Sequence, residues 1–230
     1  MSPISYILNS VWQVSCSTWL SLWILLNEDD KTWEDNLNPH AHTYGLLRRK
    51  PSASEMYYKI TTYTKFILVR HPFERLLSAY RAKFESPVNK PAVIYRRTYG
   101  VNIAAKYRTE PVNSTLLGFI TFKELVAYIL DKYPRKNDRH WERYSRLCNP
   151  CAIEYDIIGK YETLKLDSDH FLDRIGAKPE LRYPNEKKTN TSGLVNSYLE
   201  TLTNKQIDGL LKLYKNDFNL FGYKKARRIE

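Results

Sequence analysis

The stretch from residue 65 to residue 85 constrains the fold most, because its hydrophobic pattern changes type at one point. Residues Phe66–Val69 form a short apolar run of the kind that buried strands use. After Arg70, Pro72 stands where a helix can begin, since the N–H that proline lacks would be unsatisfied there. Apolar residues then recur at helical spacing (Phe73, Leu76, Leu77, Tyr80, Phe84), while Arg75, Arg81 and Lys83 project elsewhere. The stretch predicts a buried strand, a cationic turn and an amphipathic helix, and such junctions bind anions in α/β proteins.

A similar junction lies near the start of the chain. Residues Val11–Val14 predict a short strand, Ser15–Thr18 a polar turn, and the apolar residues through Leu26 a helix. Hydroxyl groups and helix N–H groups at such a turn have the chemistry of a phosphate-binding loop. The turn lacks the glycines and the Lys-Ser/Thr ending of a Walker A sequence, so an ordinary N-capped helix is the alternative interpretation.

The rest of the chain predicts further helices and one more strand. Capping boxes at Thr121–Glu124 and Thr203–Gln206 each predict a helix. Residues Glu154–Gly159 predict a strand, followed by a helix that contains Phe171, Leu172 and Ile175. We expect some helix in the polar residues 28–62 and a loop-rich insertion over residues 86–118. Strands separated by helices indicate an α/β fold with a parallel sheet flanked by helices.

Composition limits the classes of partner. With 230 residues and 43% hydrophobic content, the chain is long and apolar enough for one domain with a real core. The formal net charge of +11 indicates an anionic partner: nucleic acid, a phosphorylated ligand or an acidic polysaccharide. No zinc-finger, homeodomain or RNP signature supports nucleic acid. No apolar stretch approaches the roughly 20 residues of a spanning helix, and the first residues do not resemble a signal peptide.

Three cysteines are too few for a disulfide scaffold. Cys148 and Cys151 form a single C-x-x-C, a weak zinc signal without a second pair of ligands, so a local disulfide or a pair of packed thiols is the favoured interpretation. N-glycosylation sequons begin at Asn113 and Asn190, and they favour a secretory-pathway protein mildly.

Taken together, the two junctions resemble a known family. Residues Arg70–Arg81 look like the 3′-phosphate-binding motif, and residues Trp12–Trp19 like the 5′-phosphosulfate loop, of the Golgi carbohydrate sulfotransferases that include the chondroitin, dermatan and HNK-1 enzymes. Further blocks follow the order of that family: His140-Trp141, Cys148-Asn149-Pro150-Cys151, Tyr155–Leu164 and Asp217–Tyr223. The resemblance covers the chain from about Val11 to Tyr223.

The resemblance implies an α/β fold with a P-loop-NTPase-like central parallel sheet, forming one sulfotransferase domain over residues 1–230. It implies transfer of sulfate from 3′-phosphoadenosine 5′-phosphosulfate (PAPS) to a hydroxyl of a glycan, without a metal and without nucleic acid as a partner. The acceptor is expected to be anionic and the enzyme to lie in the Golgi lumen, with the membrane anchor and stem of the family outside this chain. Donor-binding residues carried over from the two motifs are Trp12, Gln13, Val14, Ser15, Cys16, Ser17, Thr18, Arg70, His71, Pro72, Phe73, Glu74, Arg75, Leu76, Leu77 and Ser78.

The predicted catalytic residues are Gln13 and His140. Family members usually carry a basic residue at the position of Gln13, and that cation stabilises the leaving phosphate. Gln13 brings a hydrogen-bond donor without charge, and loss of a charged donor removes on the order of 10²–10³ in rate. A pseudoenzyme that keeps glycan or nucleotide binding is therefore one alternative, and a basic nucleic-acid-binding protein is a remote one. His140 is the candidate base for the acceptor hydroxyl, with loop packing beside Trp141 as its alternative role.

Overall fold

The computed structural model describes residues 6–9, 14–28, 38–46, 51–85, 90–109, 118–135, 137–185 and 191–227. Trp12 and Gln13, which the sequence predicts at the donor site, lie outside these ranges. Three strands lie in the described ranges: β1 (Tyr6–Asn9), β2 (Thr64–Val69) and β3 (Ile157–Lys160). The α-helices are α1 (Cys16–Asn27), α2 (Pro39–Leu46), α3 (Ala53–Thr62), α4 (Pro72–Tyr80), α5 (Lys90–Tyr95), α6 (Val101–Tyr107), α7 (Phe122–Lys132), α8 (Tyr144–Leu147), α9 (Leu164–Arg174), α10 (Ser192–Glu200), α11 (Asn204–Leu213) and α12 (Lys215–Leu220). Within those ranges, no helix is both long and apolar enough to cross a membrane.

The chain divides into two compact units. The first unit contains residues 1–70 and 147–187, and the second contains residues 71–146 and 188–230. The mixture of helices and a parallel sheet confirms the predicted α/β class. The interpretation of residues 1–230 as one sulfotransferase domain stays a prediction.

The first unit contains the parallel sheet, in the order β1-β2-β3. In the β1–β2 register Asn9 pairs with Ile67, and in the β2–β3 register Val69 pairs with Lys160. Because the strands are parallel, their carboxyl ends share one edge, which is where α/β sheets bind ligands. The residues that follow β2 and β3 are therefore neighbours at that edge.

An ion pair fixes the start of β3 against β2. Asp156 accepts the backbone N–H of Lys65 at 2.6 Å and lies 2.9 Å from its ammonium group. Burial raises the pKa of Asp156, but hydrogen bonds from Lys65 outweigh burial and lower it overall. The predicted strand at Glu154–Gly159 is therefore displaced: Glu154–Asp156 lie before it and the strand runs from Ile157.

The core of the first unit is aromatic. Trp19 of α1 packs on Phe66 of β2 with ring centroids 5.2 Å apart, and Phe66 stacks on Phe171 of α9 at 4.4 Å. All three side chains are fully buried, and the burial of Phe66 confirms the prediction made from the apolar run. Gly159 in β3 permits close approach, because a Cβ there would lie 2.8 Å from a methyl carbon of Leu68. The packing fixes α1 and α9 against the sheet.

The second unit is helical, with a core built from α4, α6, α7, α10 and α11. The capping boxes predicted at Thr121 and Thr203 are both present, and the helices begin at the next residue. The prediction of a loop-rich insertion over residues 86–118 is wrong for residues 90–107, which are helical in α5, α6 and the turns between them. Gly100 meets Gly118 at a backbone contact that leaves no space for a Cβ.

The predicted strand at Val11–Val14 also needs correction. The described strand in this part of the chain, which pairs with one edge of β2, is Tyr6–Asn9, several residues earlier. Val14 is a buried residue in a bend before α1, and residues 11–13 lie outside the described ranges. The helix that follows extends through Asn27, one residue past its predicted end.

Candidate active site

We call the junction before α1 the first junction and the junction between β2 and α4 the second junction, in chain order. An unusual residue precedes α1 at the first junction. Ser15 is the N-cap and has φ 49° and ψ 41°, in the left-handed region. Its carbonyl accepts the N–H of Trp19 at 3.1 Å, and its side chain makes no capping hydrogen bond. The first turn of α1 carries no acidic residue. A helix start with these properties favours an anion, since backbone N–H groups and the helix dipole both point outward there.

Val14–Thr18, predicted to hold the 5′-phosphosulfate, all lie in this junction. Val14 is buried, Ser17 is exposed, and Ser15, Cys16 and Thr18 are half-buried. The prediction of a polar turn over Ser15–Thr18 needs one refinement, because Cys16–Thr18 form the first helical turn of α1.

This junction is contacted by two residues that the sequence analysis does not identify. Ser17 Oγ lies 2.9 Å from Nε2 of His40, an exposed residue of α2. Ser15 Oγ shares a hydrogen bond with the phenol of Tyr183, which is 2% exposed. For the contact of His40, the signal in the sequence is a histidine after Pro39 in a polar segment. The contact of Tyr183 with Ser15 joins residues 168 positions apart, so no local pattern indicates it.

Arg70 lies at the carboxyl edge of the sheet, directly after β2. Its side chain is buried, at 1% exposure, and its guanidinium carbon lies 4.0 Å from the centroid of the Tyr161 ring. The register explains this contact. Val69 and Lys160, the last residues of β2 and β3, are paired, and Arg70 and Tyr161 directly follow them. Stacking on an aromatic face orients the planar guanidinium, the arrangement that suits phosphate recognition.

The residues that follow Arg70 begin the second unit and start α4. The His71 ring accepts the N–H of Phe73 at 3.3 Å through Nδ1, and Pro72 occupies the first helical position. Glu74 stands in the first turn and accepts the hydroxyl of Ser192 at 2.8 Å. The predicted helix start at Pro72 is therefore confirmed, with His71 as its cap.

Arg75 is held inside the second unit. It is 1% exposed, and its guanidinium donates to the carbonyl oxygens of Glu142 at 2.6 Å and Arg139 at 2.8 Å. It also lies 4.6 Å from the centroid of the Tyr144 ring. The expectation that Arg75 projects away from the buried face is wrong, because these carbonyl oxygens offer it buried partners.

The other motif residues of α4 divide by burial. Phe73, Leu76 and Leu77 belong to the apolar core of the second unit. Ser78, predicted to help hold the 3′-phosphate, is half-buried. The side chains of Phe73, Leu76 and Leu77 pack in the core, so Ser78 is the candidate in this helix for polar contact with a ligand.

His140 lies in a polar cluster within the second unit. Its Nδ1 is 2.6 Å from a carboxylate oxygen of Asp138 and 2.8 Å from the hydroxyl of Tyr95. The ring is 2% exposed, and burial lowers the pKa of His140, with the nearby Lys83 adding to that effect and Asp138 opposing it. Burial raises the pKa of Tyr99, a further partner of Asp138, to about 12. The cluster keeps His140 neutral with its Nδ1 bonded to a carboxylate.

The C-x-x-C pair belongs to the first unit. Cys148 is buried and Cys151 is exposed, and both are thiols in the structure. The hydroxyl of Tyr155 donates to the carbonyl of Cys148 at 2.9 Å, and Asn149 has a positive φ of 45°. The interpretations as a local disulfide and as a pair of packed thiols are both wrong here, because the two cysteines are not bonded to each other and only Cys148 is buried.

Comparison with known proteins gives a consistent result. The model of the sulfotransferase family matches residues 5–224. Human carbohydrate sulfotransferase 9 and zebrafish (Danio rerio) carbohydrate sulfotransferase 14 are each 36% identical over 92% of this chain, covering 49% and 58% of their own lengths. Mouse carbohydrate sulfotransferase 11 is 32% identical over 92% of this chain and 62% of its own length. The chain thus spans about half to three fifths of these relatives, and no solved structure matches it at a significant level. The resemblance predicted from the sequence is confirmed, and the chain belongs to the sulfotransferase family.

Proposed function

We propose that this chain is the catalytic region of a carbohydrate sulfotransferase that transfers sulfate from PAPS to a hydroxyl of a glycan. One observation carries the proposal: in the first unit, the left-handed residue Ser15 lies between β1 and α1, and the buried Arg70 directly follows β2, the strand that neighbours β1 in the parallel sheet. These are two anion-binding features in one unit, and a nucleotide with charged groups at its 3′ and 5′ positions offers one anion to each. We also infer that the sheet is P-loop-like.

In the proposed site, the backbone N–H groups at Cys16–Thr18 hold the 5′-phosphosulfate. Arg70 holds the 3′-phosphate, and the same role for Ser78 of the second unit stays a prediction from the sequence. The acceptor oxygen attacks sulfur in line with the leaving phosphate, as in phosphoryl transfer, and the S–O bond to that phosphate breaks. Negative charge then grows on the leaving phosphate oxygen, and preorganised N–H donors stabilise it without reorganisation.

A base must take the proton of the acceptor hydroxyl, and two histidines are candidates. His40 is exposed and lies 2.9 Å from Ser17 of the proposed phosphosulfate loop, in the same unit. His140, the candidate from the sequence, is buried and bonded to Asp138. Because a base must reach the proton that it abstracts, we favour His40. The prediction for His140 stays open to the same experiment.

Membership of the family supports a proposal for the acceptor and for the location. The relatives are named carbohydrate sulfotransferases, and the net charge of +11 suits an anionic glycan of the chondroitin or dermatan type, or an anionic glycoprotein glycan. We propose that the catalytic region works in the Golgi lumen, where such glycans are sulfated. Imaging of the tagged full-length protein beside a Golgi marker tests the location, and a cytosolic signal would contradict it.

The function is tested with purified protein in two assays. Transfer of radiolabelled sulfate from PAPS is measured over a panel of chondroitin, dermatan and glycoprotein glycans. Binding of adenosine 3′,5′-bisphosphate, the product nucleotide, is measured by calorimetry. We expect 1:1 nucleotide binding and transfer to at least one glycan. Nucleotide binding without transfer supports the pseudoenzyme alternative suggested by Gln13. The proposal is rejected if the protein shows no nucleotide binding and no transfer.

A further inference from the structure

We propose that Tyr183 is a positioning residue of the donor site, because its phenol holds Ser15 in the left-handed conformation that directs the first N–H groups of α1 toward an anion. This role rests on the proposed function and deepens it, since the anion is the 5′-phosphosulfate of the donor. Tyr183 lies outside the motifs that the sequence analysis assigned to donor binding.

Ser15 has a left-handed backbone conformation that is unusual for a serine before a helix. Its φ of 49° is in a region that serine adopts at a steric cost and that glycine adopts freely. An N-cap serine ordinarily has extended backbone, and its hydroxyl accepts an N–H from the second or third helical residue, here Ser17 or Thr18. Ser15 does neither, because it has left-handed backbone and no capping hydrogen bond.

The hydroxyl of Ser15 contacts Tyr183 instead, by a hydrogen bond to the phenol oxygen. Other contacts fix Tyr183. Its N–H donates to a carboxylate oxygen of Asp169 at 2.8 Å, and its ring centroid lies 6.0 Å from that of Trp19. Asp169 is in turn bonded to Lys165 at 2.6 Å. The phenol is therefore placed by α9 and the aromatic core, and it sets the position of the Ser15 side chain.

The consequence is geometric. A left-handed residue followed by a right-handed one makes a concave arrangement of successive N–H groups, which is a known anion-binding shape. Ser15 and Cys16 form such a pair, since Cys16 is the first residue of α1. Without the anchor, we expect Ser15 to return to the extended cap conformation. Its hydroxyl would then accept the N–H of Ser17 or Thr18 and compete with the donor.

The test removes the phenol oxygen alone, by Tyr183→Phe. In the ligand-free protein, hydrogen exchange at the amides of Ser17 and Thr18 is expected to slow, because one of them gains the Ser15 hydroxyl as acceptor. By calorimetry, the affinity for adenosine 3′,5′-bisphosphate is expected to fall about tenfold, the size of a left-handed backbone preference. The matched control is Tyr155→Phe, which removes another hydroxyl in the first unit and should leave both measurements as in wild type.

A second variant separates positioning from general packing. Glycine adopts the left-handed conformation without an anchor and has no hydroxyl for capping, so Ser15→Gly combined with Tyr183→Phe should restore the affinity to within about twofold of Ser15→Gly alone. A double variant as weak as Tyr183→Phe, or unchanged exchange at Ser17 and Thr18 in Tyr183→Phe, overturns the role of Tyr183. If wild type binds no nucleotide, the proposed function fails, while the exchange result still decides whether Tyr183 sets the conformation of Ser15.

Discussion

The helices that follow β1 and β2 begin in opposite ways. α1 starts after a left-handed serine, with no side-chain cap and no acidic residue in its first turn. α4 starts with a proline, is capped by the ring of His71 and carries Glu74 in its first turn. The start of α4 already contains an acceptor and a negative charge of its own, whereas the start of α1 contains neither. The first junction can therefore bind an anion through backbone N–H groups, whereas the second junction can bind one through the side chain of Arg70.

The largest expected effect concerns the base. Replacing His40 by glutamine should lower kcat for sulfate transfer by roughly 10²–10⁴, because general bases contribute that range. The matched variant His140→Gln should affect stability more than kcat, since its ring is buried against Asp138. Steady-state transfer and urea unfolding of both variants measure the two effects. A large loss of kcat in His140→Gln alone would assign the base to the second unit.

The next effect concerns charge at the first junction. Gln13→Lys should raise the rate of transfer by on the order of 10²–10³, because it restores a charged donor for the leaving phosphate. Gln13→Met, of similar length and without charge, is the control and should give no gain. The measurement is single-turnover sulfate transfer at saturating PAPS. Equal rates for wild type and Gln13→Lys would mean that the backbone N–H groups of the first junction suffice.

The second junction is tested with two equally buried arginines. Arg70→Gln should weaken binding of adenosine 3′,5′-bisphosphate roughly 10- to 100-fold, the range for a lost charge-assisted hydrogen bond. Arg75→Gln should instead lower the free energy of unfolding by about 1–3 kcal/mol, because two buried carbonyl oxygens lose their donor. Calorimetry and urea unfolding give both quantities. If Arg75→Gln weakens binding more than Arg70→Gln does, the assignment of Arg70 is wrong.

The two helix starts should also differ in stability. His71→Ala removes the cap of α4 and should cost about 1 kcal/mol of unfolding free energy. In the Tyr183→Phe background, where no phenol loses its partner, Ser15→Gly should cost only a few tenths of a kcal/mol, because glycine replaces serine at a helix start at little cost. Chemical unfolding of each variant checks this order. A larger cost for Ser15→Gly would show that the first junction is built for stability as the second is.

The smallest effect is the pH dependence contributed by His140. Burial lowers the pKa of His140 in the folded state below its usual value of 6.5, so the unfolded chain binds more protons as the pH falls through that value. The stabilisation from neutral His140 is therefore present above about pH 6.5 and is lost as the pH falls toward its folded pKa. Comparison of unfolding free energies at about pH 7.5 and about pH 5.5 should give a steeper loss in wild type than in His140→Gln. Parallel curves would contradict the burial of His140.

Local signals predicted much of this fold, and tertiary contacts decided the rest. The capping boxes at Thr121 and Thr203 and the proline at the start of α4 act within one helical turn, so the sequence located those helices. The contact of Ser15 with Tyr183 depends on how α9 packs against the sheet, and no short-range pattern encodes it. The burial of Arg75 depends on carbonyl oxygens more than 60 residues away.

The central claim is that the first junction binds the 5′ end of the donor and Arg70 binds its 3′-phosphate. A crystal structure of the protein with adenosine 3′,5′-bisphosphate tests this most directly. We expect the 5′-phosphate within hydrogen-bond distance of the backbone N–H groups of Cys16–Thr18, and the 3′-phosphate within hydrogen-bond distance of the Arg70 guanidinium. A nucleotide bound with both phosphates away from these groups would contradict the account.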